Sequence, residues 1–295
     1  MRRATSVEVM LLSAICLWSL NLTVTRYVLT HGFRPLSYAT VRYALAALVF
    51  IGITLAAERS LRIARPDILA VAAAAAVLWV NQIGFVYSLK TTSASVVALV
   101  LGATPIFAAV FGLALRTERL PRRFWAGAWL SLVGVGLVAV GAGGELRGDL
   151  GGIVLAIVTA ATWAVYSMLI TPLMRRYSPS RISALVLALS WVPIALCGIG
   201  QTRDQSWELG WTVWVLVVLA TVGPLVVTNV LWFRSLDRIG PSRAMLATNL
   251  QPFVAAVFAV VLLGEQIDAI QIAGGILIGV GILAARRRQI APQVE

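Results

Sequence analysis

The sequence predicts an all-α integral membrane protein in which ten transmembrane helices form two inverted five-helix repeats. Three observations lead to this fold class: the composition, the spacing of apolar runs and an internal repeat. Hydrophobic residues fill 60% of the 295 positions, charged residues fill only 12%, and the mean hydropathy is +0.90. Because a soluble domain carries roughly 25% charged residues, a water-soluble protein is excluded.

Ten apolar runs, bounded by Gly, Pro or charged residues, divide the chain and are called spans one to ten. A run of about 20 apolar residues crosses a bilayer as a helix, because lipid offers its backbone groups no partners. Proline stands at the start of several spans, where its missing N–H costs little. The spans cover residues 6–29, 35–57, 66–89, 94–116, 121–141, 150–173, 180–200, 210–233, 241–263 and 267–285.

The distribution of basic residues sets the orientation of the spans. The termini and the even-numbered loops hold 18 Lys and Arg residues, whereas the odd-numbered loops and adjacent helix ends hold 5. Short cytoplasmic loops are enriched in these residues, so we expect both termini in the cytoplasm of a bacterium and the chain in its inner membrane. The net charge of +12 then reflects topology, which argues against a nucleic-acid partner.

The second half of the chain repeats the first at an offset of 147 residues, and near the start of each half at an offset of 145. The matches are Trp18 with Trp163, Pro105 with Pro252, residues 108–111 with 255–258, Glu118 with Glu265, Gly127 with Gly274, and Gly134 with Gly281. The predicted domains are residues 1–146 and 147–295. Since each domain holds an odd number of spans, the second must enter the membrane inverted, a design that secondary transporters and some channels use.

Paired motifs in the two halves resemble those of a known family. They are Thr104-Pro105, Thr117-Glu118-Arg119-Leu120 and Gly127 in the first half, with Gln251-Pro252, Gly264-Glu265 and Gly274 in the second, and Arg42-Tyr43 with Ala46 in span two. With a tryptophan in the first span of each half, they resemble the paired EamA domains of the drug/metabolite transporter superfamily. The resemblance implies two inverted bundles of five helices and the export or exchange of small metabolites. The YddG exporters of aromatic amino acids are one candidate match within it, although these motifs are generic to the superfamily and Gly264 has no counterpart in the first half.

Acidic residues are absent from the interior of all ten spans. The twelve Asp and Glu residues fall at helix ends, in loops or in the tail, and the single histidine, His31, falls in the first external loop. Intramembrane carboxylates usually mark proton or ion relays, so the sequence favours facilitated diffusion or solute exchange over proton antiport. With only the scattered Cys16 and Cys197 besides, we expect no metal, no cofactor and no enzyme.

Four spans carry two side chains three residues apart, aromatic with polar, and therefore on one helical face. These pairs are Trp18 with Asn21, Trp79 with Gln82, Trp163 with Tyr166, and Asn229 with Trp232. A polar group in hydrocarbon is costly, so each pair should face a midplane cavity enclosed by spans one, three, four, six, eight and nine. Such a cavity suits aromatic or amphipathic solutes. The alternative is that the amides hold neighbouring helices together.

Several further positions have two open interpretations. Pro105 and Pro252 lie in the middle of spans four and nine. They act either as a hinge or gate beside the cavity or as kinks that the helices tolerate. Glu118 and Glu265 cap the next helix or gate opposite membrane faces. Arg42, the one base inside a span, snorkels or pairs with a loop. Two small-residue faces, Gly127 to Ser131 in span five and Gly275 to Gly279 in span ten, suit internal packing better than a dimer seam, which predicts a functional monomer.

The leading hypothesis is a secondary transporter that moves small organic metabolites by alternating access, and the expected direction is export. Its expected partners are a small-molecule substrate, such as an amino acid or an amphipathic cation, and the lipid bilayer. The runner-up is a membrane-embedded binding or scaffolding protein without transport. A lipid-modifying enzyme ranks third, because the sequence supplies almost no catalytic groups.

Overall fold

A computed structural model of the chain describes residues 2–91, 94–116, 120–141, 150–263 and 268–285. All regular structure in these residues is helical, which confirms the all-α prediction for them. In chain order the helices are α1 (Arg2–Thr30), α2 (Pro35–Glu58), α3 (Arg65–Thr91), α4 (Ala94–Leu101), α5 (Thr104–Ala114), α6 (Arg122–Gly141), α7 (Leu150–Leu173), α8 (Pro179–Arg203), α9 (Gly210–Thr221), a π-helical segment (Val222–Val227), α10 (Thr228–Ile239), α11 (Pro241–Thr248), α12 (Gln251–Leu263) and α13 (Ala269–Ala285).

Six of the described helices are long and apolar enough to cross a membrane. They are Pro35–Glu58, Arg65–Ser88, Arg122–Gly141, Leu150–Leu173, Pro179–Arg203 and Gly210–Ile239. Shorter apolar helices cover Ser6–Asn21, Leu99–Ala114 and Ala269–Ala285. The chain is therefore built as a multi-pass membrane protein, while the crossing of the bilayer by all ten spans stays a prediction.

Spans four and nine are each broken into two helices instead of being kinked. The break in span four lies at Gly102–Ala103, and the break in span nine lies at Asn249–Leu250. Pro105 and Pro252 are the second residues of α5 and α12. In the first turn of a helix a backbone N–H has no partner within the helix, so the missing N–H of proline costs little there. A threonine hydroxyl serves a helix carbonyl at each break: Thr104 donates to the carbonyl oxygen of Leu101 over 2.6 Å, and Thr248 donates to that of Met245 over 2.7 Å.

The principal helix contacts join the first half of the chain (α1–α6) to the second half (α7–α13). Helix α6 packs on α13, α2 on α8, and α3 on α7, while α1 packs on α10. Under a shift of five spans, the α6–α13 and α2–α8 pairs map onto themselves, and the α3–α7 pair maps onto α10–α1. The packing thus follows the internal repeat of the sequence.

Equivalent helices of the two halves run in opposite directions. The start of α2 contacts the end of α8, where the Leu36 N–H donates to Gln201 Oε1 over 2.9 Å. At the other end of α2, Glu58 accepts a hydrogen bond from the Ser178 hydroxyl just before α8 begins. Antiparallel packing of spans two and seven is what an inverted repeat requires.

Helices α6 and α13 make the same antiparallel contact through glycines. A Cβ atom built on Gly281 would lie 2.6 Å from the Gly127 carbonyl oxygen, and one built on Gly274 would lie 2.7 Å from that of Gly134. The sequence repeat relates Gly127 to Gly274 and Gly134 to Gly281. It therefore converts the contact between Gly127 and Gly281 into the contact between Gly274 and Gly134. The span-five face, Gly127 to Ser131, therefore packs within the chain, as absent side chains allow backbones to approach closely. In span ten the contact comes from Gly274 and Gly281, whereas a Cβ atom on Gly279 would meet nothing within 4 Å.

Polar contacts at both ends of the molecule hold the two halves together. At one end, Asp67 on α3 accepts from Arg176 Nη1 over 2.7 Å and from the Tyr177 hydroxyl over 2.8 Å. At the opposite end, Arg34 pairs with Asp204 over 3.1 Å. The buried region between these ends contains the cavity described below.

Some predicted features lie outside the described residues. These are Glu118 and Glu265, together with the motif residues Thr117, Arg119 and Gly264. Cys16 and Cys197 are described and both are free thiols.

Candidate functional site

A cavity of about 260 Å³ lies between the two halves of the chain. Its walls come from α1, α2, α3 and α6 of the first half and from α7, α8 and α10 of the second, together with both helix breaks and the π-helical segment. All six spans expected to enclose a cavity contribute to it. Spans two, five and seven, which were not expected, contribute Arg42, Tyr43, Val135 and Leu187.

Most of the predicted site residues meet in this cavity. Those that line it are Trp18, Asn21, Gln82, Trp163, Tyr166, Asn229 and Pro252. Three others, Trp79, Trp232 and Pro105, are absent from the described lining. The geometry therefore brings together side chains from opposite halves that are more than a hundred residues apart in sequence.

Trp79 and Trp232 pack into the core behind the cavity wall. Trp232 is fully buried, and the indole nitrogens of both residues have no hydrogen-bond partner among the described residues. Residues three apart on a helix differ by about 60° around its axis. On α10 that angle is enough for Asn229 to line the cavity while Trp232 packs against Trp18 and Trp163 on neighbouring helices.

Three tryptophans from three helices form a cluster at the cavity. The ring centre of Trp18 lies 5.9 Å from that of Trp163 and 5.2 Å from that of Trp232, both with edge-to-face geometry. Trp163 also lies 5.4 Å from Tyr166. The indole N–H of Trp18 donates to the Pro224 carbonyl oxygen over 3.1 Å, which fixes the ring. Trp18 and Trp163 thereby present a rigid aromatic wall of the kind that holds apolar or aromatic groups.

Six amide side chains among the described residues line the cavity, and two of them also link helices. Asn81 donates to the Thr159 carbonyl oxygen over 2.8 Å, so it links α3 to α7. Asn249 links the two helix breaks through the Gly102 carbonyl oxygen. Asn229 and Gln82 line the cavity from α10 and α3. Helix linkage and cavity lining, the two sequence interpretations, thus hold together for Asn81 and Asn249.

Arg42 is the most informative residue that sequence reasoning placed elsewhere. Its side chain lines the cavity instead of reaching a membrane surface or a loop. Arg42 Nη2 donates to Asn21 Oδ1 over 3.3 Å and to the Ala220 carbonyl oxygen over 2.9 Å. Its guanidinium carbon lies 5.1 Å from the ring centre of Tyr38, a cation–π distance. A lone base inside an apolar span was the sequence signal for this position.

Other lining residues carried weaker sequence signals. Thr104, Thr248 and Gln251 flank the two helix breaks, which bring backbone and hydroxyl groups to the cavity. Tyr43, Phe85 and Thr159 line it as well, but their types are common in membrane helices. Among the described lining residues there is no Asp, Glu or His, and Arg42 is the only one with a formal charge.

Comparison with known proteins gives this cavity a family context. A profile of the EamA-like transporter family matches the chain twice, over residues 5–140 and 150–287. The chain belongs to the EamA-like transporter family. It is therefore a multi-pass membrane transporter for small metabolites, with a small-molecule substrate and a lipid environment, and members of this family are transporters rather than enzymes.

Curated relatives of this EamA-like transporter have transporter names. An uncharacterized transporter of Archaeoglobus fulgidus is 28% identical over 68% of this chain and 70% of its own length. The uncharacterized transporter YyaM of Bacillus subtilis is 23% identical over 95% of this chain and 93% of its own. A protein of Salmonella typhimurium, called a probable amino-acid metabolite efflux pump, is 27% identical over 92% of this chain and 91% of its own.

A solved structure shares the fold of this EamA-like transporter. That crystal structure superposes with a TM-score of 0.81 and covers 95% of this chain and 96% of its own, at 23% sequence identity. At this identity the likeness shows the fold alone. The fold, the family and the cavity together identify the space between the two halves as the candidate substrate site.

Proposed function

We propose that this EamA-like protein is a secondary transporter that moves small organic metabolites across the inner membrane by alternating access. The observation that carries the proposal is the cavity between the two halves, which combines a wall of aromatic rings with amides and one cation. Such a mixture suits solutes with an apolar body and a polar end. Amino acids, aromatic ones included, fit this description.

The symmetric packing of the halves supports alternating access as the mechanism. Two inverted halves around one cavity can exchange their conformations and so expose it to either side of the membrane. The broken spans four and nine contribute Gly102, Thr104, Asn249 and Pro252 to the cavity wall. Breaks there allow the halves of a span to move separately, and on this basis Pro105 and Pro252 are hinge residues.

The substrate set is proposed as Trp18, Asn21, Gln82, Trp163, Tyr166 and Asn229. Without a carboxylate in the described lining, the transporter works by facilitated diffusion or exchange. The name of the Salmonella relative supports export of amino acids or their metabolites. The basic loops support cytoplasmic termini, and internal packing of the glycine faces supports a functional monomer without a nucleic-acid partner.

Transport is tested with the purified chain in liposomes without ATP. Vesicles preloaded with unlabelled phenylalanine, leucine or threonine receive the same amino acid with a radioactive label. An exchanger or facilitator then accumulates label inside, and protein-free vesicles provide the control. The scaffolding alternative would be supported if the folded protein moved none of the amino acids or other metabolites in a broad panel.

A further inference from the structure

We propose that Arg42 binds the carboxylate of the substrate, so that the cavity selects zwitterionic or monoanionic solutes over organic cations. This inference rests on the proposed transport function and adds the charge class of its substrate. The first step concerns charge balance. Arg42 is the only charged side chain in the described lining. The three ion pairs among the described residues lie at the ends of the molecule, and Arg42 takes part in none of them. A cation that lacks a counter-ion at membrane depth is costly, which marks a functional position.

Among the described residues, hydrogen-bond partners are found for one nitrogen of the Arg42 guanidinium. Both of its hydrogen bonds, to Asn21 and to the Ala220 carbonyl oxygen, come from Nη2. Ala220 needs a donor because Pro224, four residues later, has no N–H to give it. A guanidinium has five N–H donors; among the described residues Nε is buried without a hydrogen-bond partner, and no described residue accepts from Nη1. Nη1 and the positive charge are what a carboxylate in the cavity would use.

The guanidinium is also held in place before any ligand binds. The Tyr38 ring lies 5.1 Å from its carbon atom, and the Tyr38 hydroxyl lies 3.2 Å from that of Thr25. The Thr25 hydroxyl donates to Asn21 Oδ1 over 3.5 Å, which closes a ring of contacts around Arg42. A pre-positioned donor group lowers the entropic cost of binding.

The positions of Arg42 and the tryptophans give the bound solute a direction. Asn21, which contacts Arg42, lies one helical turn from Trp18 on α1, and Trp18 contacts Trp163 in the aromatic wall. A carboxylate at Arg42 therefore places an apolar side chain against the aromatic wall. An ammonium group finds neutral acceptors, including the Thr248 carbonyl oxygen, whose helical donor would be Pro252. A solute with a positive charge alone meets the uncompensated guanidinium and is repelled.

The test measures binding of three ligands that share a phenyl ring and differ in charge: phenylalanine, 3-phenylpropionate and phenethylamine. Titration calorimetry on the purified full chain in detergent gives the Kd of each. We expect the two carboxylates to bind the wild-type protein at least about tenfold more tightly than the amine, the difference that one charge-assisted contact provides. Arg42→Gln should remove that preference, and Arg42→Lys should retain part of it.

Arg34→Gln is the matched control, because it removes the same charge from an exposed residue just before α2 that lies outside the cavity lining. It should leave all three Kd values unchanged. If Arg42→Gln fails to fold, the wild-type preference and Arg42→Lys carry the test. The proposal is overturned if neither carboxylate binds, if the amine binds as well as they do, or if Arg42→Gln keeps the preference. Binding with this charge preference but without flux would instead contradict only the transport function.

Discussion

The side-chain amide of Asn249 donates a 3.1 Å hydrogen bond to the carbonyl oxygen of Gly102, the residue 147 positions earlier. That separation equals the offset of the sequence repeat. Gly102 lies in the break between α4 and α5, and Asn249 lies in the break between α11 and α12. In a continuous helix Ile106 would serve the Gly102 carbonyl, but it donates to Ala103 instead. The two breaks therefore meet, and the second half supplies the donor that the break in the first half lacks.

Loss of this contact should destabilise the pairing of the two breaks. The Asn249 amide also donates to the Ser131 hydroxyl oxygen over 3.1 Å, so Asn249→Ala removes two hydrogen bonds and strands the Gly102 carbonyl. We expect a loss of about 0.5–2 kcal/mol in the free energy of unfolding, as buried hydrogen bonds in membrane proteins contribute. Ser131→Ala is the control, since it leaves the bond to Gly102 and should cost less. Equal losses in thermal unfolding would show that the Gly102 contact contributes nothing.

The close approach of α6 and α13 should tolerate no side chain at its glycines. Gly281→Ala places a methyl group 2.6 Å from the Gly127 carbonyl oxygen, a distance that forces the helices apart. We expect a loss of about 1–3 kcal/mol, the usual effect of overpacking. Gly279→Ala is the matched control on the same helix, because nothing lies within 4 Å of its Cβ position. Unfolding by heat or denaturant should separate the two variants, and similar stability would contradict the contact.

Two tryptophans of one cluster should respond differently to truncation. Trp163 lines the cavity, so Trp163→Ala should reduce transport of a bulky aromatic solute several-fold, as loss of aromatic contacts worth about 0.5–1.5 kcal/mol implies. Trp232 is fully buried, so Trp232→Ala should cost about 3–5 kcal/mol of stability. Flux in liposomes and the melting temperature together distinguish these outcomes. A Trp163→Ala protein that merely unfolds would remove this residue from the proposed site.

Antiparallel packing of α2 on α8 predicts opposite membrane faces for the residues that precede them. His31 lies in the loop before α2, and Arg175 lies in the loop before α8; both are exposed. In a background without Cys16 and Cys197, a membrane-impermeant maleimide added to whole cells should label His31→Cys. It should label Arg175→Cys only after permeabilisation, and Ser206→Cys provides a second outward control. Labelling of the first two variants from the same side would contradict the inverted repeat.

Local chemistry was sufficient to predict the helices. Lipid leaves a backbone no choice but internal hydrogen bonding, so apolar runs bounded by proline and charge translate directly into helix limits. The start of α2 at Pro35 agrees with the sequence prediction. The mid-span prolines also marked the breaks, although each helix restarts one residue before its proline, at Thr104 and Gln251, because proline fits the first turn.

Side-chain direction within a buried helix was beyond local chemistry. Trp18 and Asn21, which spacing places on one face of α1, both line the cavity. With the same spacing on α10, Asn229 lines the cavity while Trp232 lies fully buried against Trp18 and Trp163, because two residues three apart can face different neighbours. Arg42 was assigned to a surface because a charge seeks water, and sequence does not reveal a polar cavity inside the bundle.

The sequence by itself determined the helical segments, the family and the repeat, since all three are written in composition, motifs and periodicity along one chain. Only the tertiary structure decided which residues of the two halves meet. The partners Gly102 and Asn249, Gly127 and Gly281, and Trp18 and Trp163 lie far apart in sequence and are joined by packing between the two halves. Contacts of that kind depend on the rotation of each helix about its axis, which is fixed by packing against several neighbours at once.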